Sequence, residues 1–353
     1  MKVVLLAPTP PPVGGIAMWT VRMKNASLKN GWQVEVVDEK IVGKREFFGD
    51  RVKHNIKDEI TRCFDIWSNL NKKLADKDAK VVHACIPANT MPVLRECVSA
   101  IVTKLHRRKF VTHFRCTVPN MVQGQINRIA VGWLCKLSDC VMLLNQASQD
   151  YVHQMCGTRT EVIPNFVDGA EIEDVHVIRE SIQSVVYVGG VIETKGCLDL
   201  IEVAKVYPSI QFRLVGTPNS KCQEAAAGVG NVILLGPKSH EEAHQEMMNA
   251  DVFAFLTYFS GEGFSNSLAE AMACGLPCLV TDWAANKDMV GETGGAVVGI
   301  KDPKGAIQAL ETMMPANVRK KQSEANIAKV KAEYRDRVIL DRYVDCYERL
   351  VRE

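Results

Sequence analysis

The chain has 353 residues, 47% of them apolar and 24% charged, with a formal net charge of +2. That length exceeds what one hydrophobic core usually serves, so two domains are expected, and the near-neutral balance offers no electrostatic footprint for nucleic acid. No apolar run approaches the roughly 20 residues that span a bilayer.

The amino-terminal "MKVVLLAPTPPP" has too short an apolar run for a signal peptide and reads as a buried first strand. In chain order, "VVLLA" (3–7), "VEVV" (34–37), "VVHACI" (81–86), "FVTHF" (110–114), "VMLL" (141–144) and "EVIP" (161–164) are predicted strands. Helical periodicity lies between most of them, over 16–29, 90–106 and 122–137. The rhythm restarts with "VVYVGG" (185–190), "FRLVG" (212–216), "VILLG" (232–236), "VFAFL" (252–256) and "PCLVT" (277–281). Strands that are apolar throughout and alternate with helices imply parallel sheets covered on both faces. Two series imply two doubly wound domains. The charged stretch 168–183 is the expected connection, and 334–353 forms an amphipathic helix that returns to whatever apolar groove remains, including one on the first domain. The twelve cysteines are scattered without a C-x-x-C pair, which favours buried free thiols in a reducing cytoplasm over a disulfide scaffold.

Two strand-to-helix turns are rich in glycine. Gly14 and Gly15 open the first helix, and Gly189 and Gly190 precede Lys195-Gly196 at the start of another. Such turns suit anions, because free backbone N–H groups and the helix dipole meet there, but they also serve simply as turns. Neither has the dinucleotide or Walker spacing. In "GEGFSNSLAEAMACGLP" (261–277), Ser265, Asn266 or Ser267 can cap a helix that Gly275 ends. Glu262 then sits in the loop after a strand and Glu270 in the first helical turn. Two different elements carry the two carboxylates, which argues against a fixed acid/base pair.

The block "EGFSNSLAEAMACGLP" resembles the E-x7-E signature of retaining nucleotide-sugar glycosyltransferases of the GT-B fold (glycosyl transferases group 1, family four). "EAMACGLPCLVTD", "YVGGVIETKGCLDLIEVA", "EVIPNFVD" and "PPPVGG" follow the family's order along the chain. The resemblance implies two Rossmann-like doubly wound domains facing a cleft: 1–167 for the acceptor and 168–333 for the nucleotide-sugar, with the 334–353 helix back on the first. It implies that Glu262 holds hydroxyls of the transferred sugar and that Glu270 takes the ribose. Gly263, Phe264, Ser265, Asn266, Ser267 and Leu268 would contact sugar and diphosphate. Lys195, beside Gly189 and Gly190, would neutralise the diphosphate. Gly15 would approach the diphosphate or acceptor closely, and His113 would border the donor sugar.

The chain departs from the family pattern at two positions. Gly190 stands where the family usually has arginine, so one of two cations is missing, and Arg115 is a candidate replacement. Phe166 stands for the glycine of the family's "PNG" block. His83, within a strand, stays undecided between core and site. "DKD" (76–78) precedes a strand in a Lys-rich turn and reads as a solvated loop, so no metal or other cofactor is expected. "KLHRRK" (104–109) reads either as a solvated helix end or as a contact with anionic lipid or a lipid diphosphate acceptor. The resemblance thus implies a metal-independent, retaining transferase that moves a hexose or N-acetylhexosamine from a UDP- or GDP-sugar. The acceptor would be a hydroxyl of a glycan or lipid-linked saccharide, in cell-surface polysaccharide or glycoconjugate biosynthesis. The enzyme would be cytoplasmic, with a peripheral contact at the inner membrane face. The alternatives are a sugar-nucleotide epimerase on the same fold and a non-catalytic glycosyltransferase-like binding partner, the latter motivated by Gly190.

Overall fold

The computed structural model describes residues 1–11, 14–40, 56–169 and 176–353. The chain forms two compact units, Met1–Asn165 with Ile339–Glu353, and Phe166–Val338. The first unit contains β1 (Lys2–Ala7), α1 (Gly15–Asn25), β2 (Gln33–Asp38), α2 (Ile56–Leu74), β3 (Ala79–Ile86), α3 (Thr90–Leu105) and β4 (Lys109–Phe114). It continues through α4 (Val118–Met121), α5 (Gly124–Leu137), β5 (Cys140–Leu143), α6 (Gln146–Cys156) and β6 (Thr160–Val162). All strands pair in parallel, in the order β2-β1-β3-β4-β5-β6.

From β2 onward the chain crosses the sheet in one direction, and right-handed crossovers therefore lay α2, α3, α5 and α6 on the same side. Their inner residues, among them Ile66, Leu70, Val93, Ala100, Val131 and Leu134, close one core over Val4, Leu6, Val82, Val141 and Leu143. On the α1 side, Trp19 meets Tyr343 edge-on at 6.0 Å and Trp32 lies 5.4 Å from Tyr347. Both faces of the sheet are covered, which is why its strands do not alternate between apolar and polar.

The second unit holds β7 (Ser184–Val188), α7 (Cys197–Val206), β8 (Gln211–Val215), α8 (Ser220–Ala226), β9 (Val232–Gly236), α9 (His240–Met248) and β10 (Val252–Phe255). It continues with α10 (Asn266–Ala273), β11 (Cys278–Thr281), α11 (Asn286–Val290), β12 (Gly295–Val298), α12 (Pro303–Thr312) and α13 (Ala316–Lys329). A final helix, α14 (Asp336–Arg352), counts with the first unit from Ile339 on. The strand order is β12-β11-β10-β7-β8-β9, again parallel. The chain therefore reverses its direction across the sheet between the neighbours β7 and β10, where Val185 pairs with Val252 and Val186 with Phe253.

Doubly wound parallel sheets are thus present in both units, as the strand pattern predicts. Several details differ, among them these. β12, "GAVV", carries no run long enough to announce itself. The first helix stops at Asn25 rather than 29. The division falls after Asn165, ahead of the expected connection, because Val167 bonds with Tyr334 and Asp336 and the buried Arg319 donates to the carbonyls of Arg179 and Glu180. Residues 170–175 of that connection, and Pro12 and Val13 of "PPPVGG", lie outside the described residues.

Candidate active site

In open parallel sheets, ligands bind beyond the carboxyl ends of the strands where the winding reverses. In the second unit those ends are β7 and β10, and the turns that follow them carry most of the predicted site. After β7 the backbone is drawn in tightly. A Cβ on Gly189 would stand 2.8 Å from the Tyr187 hydroxyl, which itself donates to the Gly190 carbonyl at 2.8 Å. Gly196 has φ +77° and caps α7, and a Cβ there would sit 2.0 Å from the Leu256 carbonyl oxygen. Only glycine fits. Gly190 differs: it is exposed, and a Cβ would meet nothing within 4 Å. The missing arginine is absent by sequence and not for want of space.

The loop after β10 is fastened from three directions. The Thr281 hydroxyl donates to the Thr257 carbonyl at 2.6 Å, the Trp283 indole to the Phe259 carbonyl at 2.8 Å, and the Tyr258 amide to the Thr194 carbonyl at 2.8 Å. This last bond ties the two site turns together. Across them, Lys195 Nζ donates to Glu262 Oε2. Their side chains are 18% and 10% exposed, so Glu262 is buried and Lys195 covers it from a half-buried position. The ammonium also lies 4.9 Å from the Phe259 ring and 5.5 Å from Phe255, in cation–π range. Two groups expected to serve different parts of one ligand thus satisfy each other.

α10 begins where its cap predicts. The Ser265 hydroxyl accepts from the Leu268 amide at 3.3 Å and lies 3.2 Å from the Ser267 hydroxyl. Gly263 and Phe264 are buried, with Phe264 edge-on to Tyr334 at 5.1 Å. The Leu268 side chain is fully buried, so this residue faces the core. Asn266 and Ser267 are half-buried at the helix start. Glu270, also half-buried, is the fifth residue of α10 and so lies in the second turn rather than the first. Thr194, Thr257, Thr281, Phe259 and Trp283 are site-positioning residues that sequence reasoning missed. Only the "TDW" following an apolar strand hinted at any of them.

The first unit holds the remaining candidates. Gly15 is the exposed first residue of α1, with room for a Cβ. His113, at the end of β4, is fully buried. Its Nδ1 lies 3.1 Å from His83 Nε2, and His83 Nδ1 lies 2.6 Å from the Tyr347 hydroxyl. Burial, and then the Arg115 charge, push the His83 imidazole down to about 3. Burial, Arg115 and His83 hold His113 well below the usual range. Both are neutral near pH 7 and can pass or hold a hydrogen bond, not supply a proton as an acid. Arg115 is taken up within this unit, against His113 at 3.3 Å, on Asn165, and 4.5 Å over the Trp19 ring.

The other sequence candidates are also accounted for. In "DKD", Asp76 pairs with Lys2 at 2.8 Å, consistent with a solvated turn. All twelve cysteines are free. Among the described residues two trios, His83/Cys85/His113 and Cys140/Glu161/Cys346, bring potential metal-ligand atoms within 4.8 Å of one another. In the first the histidines bond each other and Tyr347, and in the second Glu161 carries Arg349.

None of the curated proteins matches the chain. Solved structures of similar fold are numerous. Sucrose-phosphate synthase from Thermosynechococcus elongatus superposes with a TM-score of 0.78 at 16% identity, over 99% of this chain and 98% of that one. A glycosyltransferase from Rickettsia africae gives 0.79 at 13%, over 100% and 99%. HepE from Anabaena, solved with UDP and glucose, gives 0.72 at 16%, over 99% of both chains. At these identities the likeness speaks for the fold, which is GT-B. Two family models match consecutive stretches, Glycosyltransferase Family 4 over residues 13–171 and Glycosyl transferases group 1 over 182–315. The chain belongs to this glycosyltransferase family.

Proposed function

We propose that this glycosyltransferase is a retaining, metal-independent enzyme that transfers a hexose or N-acetylhexosamine from a nucleoside diphosphate to a hydroxyl of a glycan or lipid-linked saccharide. The observation that carries this reading is the Lys195–Glu262 pair across the β7 and β10 turns, beside the amino terminus of α10. A diphosphate there takes Lys195 from Glu262, and the released carboxylate takes sugar hydroxyls. Gly189, Gly190 and the amides from Gly263 to Ser267 approach the phosphates, and Glu270 takes the ribose. In the transfer, the bond from the anomeric carbon to the phosphate oxygen breaks and the acceptor oxygen bonds to the same face of that carbon. The acceptor proton passes to the departing phosphate. Lys195 and the helix terminus stabilise the charge that develops.

The test is release of nucleoside diphosphate when the protein is incubated with nucleotide-sugars and saccharide or lipid-extract acceptors, with UDP-glucose first because HepE is also solved with it. Retention is read from the anomeric configuration of the product, and metal independence from activity in EDTA. The open space at Gly190 supports a second reading, a nucleotide-binding partner without turnover. Nucleotide binding by thermal shift, with no release of diphosphate from any donor–acceptor pair, would establish it in place of the enzyme.

A further inference from the structure

One face of the first unit is apolar where water should be. On α3 the exposed residues Met91, Leu94, Val98, Ile101 and Leu105 recur at spacings of three and four, one stripe opposite the buried Val93 and Ala100. Leu105 is 79% exposed. The neighbouring α5 turns out Ile126, Ile129 and Trp133, the last 67% exposed. On the other flank α2 adds Ile60 and Phe64. The only other exposed large apolar residues described are Met1, Val177, Val206 and Ile300. Scattered apolar residues are ordinary, but a patch continuous over three adjacent helices marks an interaction surface.

Its charge says what covers it. Along α3, the turn after it, β4 and α5, the one acidic residue is Glu96, which is buried and bonded to Arg95 at 2.7 Å. The exposed charges on this stretch are all cationic: Lys104, Arg107, Arg128 and Lys136. Lys104 reaches Asp139 at 3.1 Å, at the edge of the face. Acidic residues enter on α2, where Asp58 and Asp65 are exposed and Glu59 is bonded to Arg62. A two-fold contact centred on α3 and α5 would set these cations against their own kind. A bilayer with anionic headgroups meets them with opposite charge, takes the apolar stripe at the acyl boundary, and suits an exposed tryptophan. No described helix is long and apolar enough to cross a membrane, so the mode is lying on the surface.

We propose that the outer face of α3 and α5, with the adjoining edge of α2, docks the first unit on an anionic phospholipid bilayer. The inference is independent of the donor site, which lies in the other unit. The experiment is flotation of the purified full chain with phosphatidylcholine vesicles made with and without phosphatidylglycerol. Binding is expected to the anionic vesicles and to fall about tenfold or more as salt screens the contact. A blue shift of tryptophan emission on vesicle addition is expected, and its loss in Trp133→Phe. The combined variant Ile101→Ser, Leu105→Ser, Ile126→Ser is expected to lose about tenfold or more in vesicle affinity. It should keep its unfolding temperature and its thermal shift with nucleoside diphosphates, because all three side chains are exposed. Failure to float at low salt overturns the proposal, as does unchanged flotation of the combined variant. A wild-type dimer in sedimentation velocity that this variant dissolves, without vesicle binding, assigns the face to a second copy and also overturns it.

Discussion

Both units wind a parallel sheet, yet one polar cluster in each is built in opposite ways. In the second unit, a lysine and a glutamate bond to each other across the β7 and β10 turns, the lysine half-buried and the glutamate buried. In the first, His83, His113 and Tyr347 form a sealed chain of neutral groups, with Arg115 stacked on Trp19 beside them. The difference lies in access. An ion pair at a surface turn can change partners when another charge arrives, whereas an imidazole without water has its proton fixed by burial and by a neighbouring cation. On the proposed reading, the charge chemistry falls to the second unit.

The strongest attack on this contrast removes the movable charge. Lys195→Ala is expected to lower the rate of nucleoside diphosphate release by about a hundred- to a thousandfold. It should also cost roughly 1–3 kcal/mol of stability, since Glu262 keeps its burial without its partner, which urea unfolding would show. A loss of stability with unchanged turnover would break the comparison. Next is the turn that presents the lysine. Gly196→Ala forces a side chain onto the Leu256 carbonyl at positive φ and is expected to cost more than about 3 kcal/mol. Gly190→Ala, where there is room, is expected within about 0.5 kcal/mol of wild type. Equal unfolding midpoints for the two would refute the tight-turn argument.

The sealed cluster is tested by pH. His83 and His113 are neutral when folded, while in the unfolded chain each binds a proton near pH 6.5, so acid favours unfolding. Their contribution is intact above that value. Below it, stability is expected to fall by up to about 1.4 kcal/mol per pH unit for each histidine, continuing towards about pH 3 for His83. A His83→Asn, His113→Asn variant should show a flatter profile between pH 6.5 and 4.5, and parallel curves would mean that the cluster is not sealed. The smallest effect sharpens the second unit's side. Gly190→Arg adds a cation in open space and is expected to tighten nucleoside diphosphate binding about five- to tenfold, as a charge-assisted contact does, measured by titration calorimetry.

Much of this arrangement is legible in the sequence because it is local. The apolar strands, the Ser265 cap and the Gly275 stop each depend on a few adjacent residues. What escapes is set by topology. Lys195 and Glu262 stand 67 residues apart, and His83 reaches Tyr347 across 264; a single sequence carries no signal for either meeting. Short β12 falls below what an apolar run can announce. On α3 the residues Val98, Ile101 and Val102 read as a simple helical pattern, but both sides of that helix are apolar, and periodicity alone cannot say which one faces water.

Unit one is discontinuous in the chain, and this bears on how the protein is made. Its sheet and first helices emerge from the ribosome early, but Tyr343 and Tyr347, which lie over Trp19 and Trp32, come in the last turns of α14. The intervening unit is continuous from Phe166 to Val338 and can close its own core while the first still lacks its final helix. The nascent amino-terminal half must wait with a row of aromatic and histidine side chains uncovered until α14 is made. A stop codon shortly before residue 339 is therefore expected to spare the second unit and to drive the first into aggregates, although every strand of the first unit's sheet is still made.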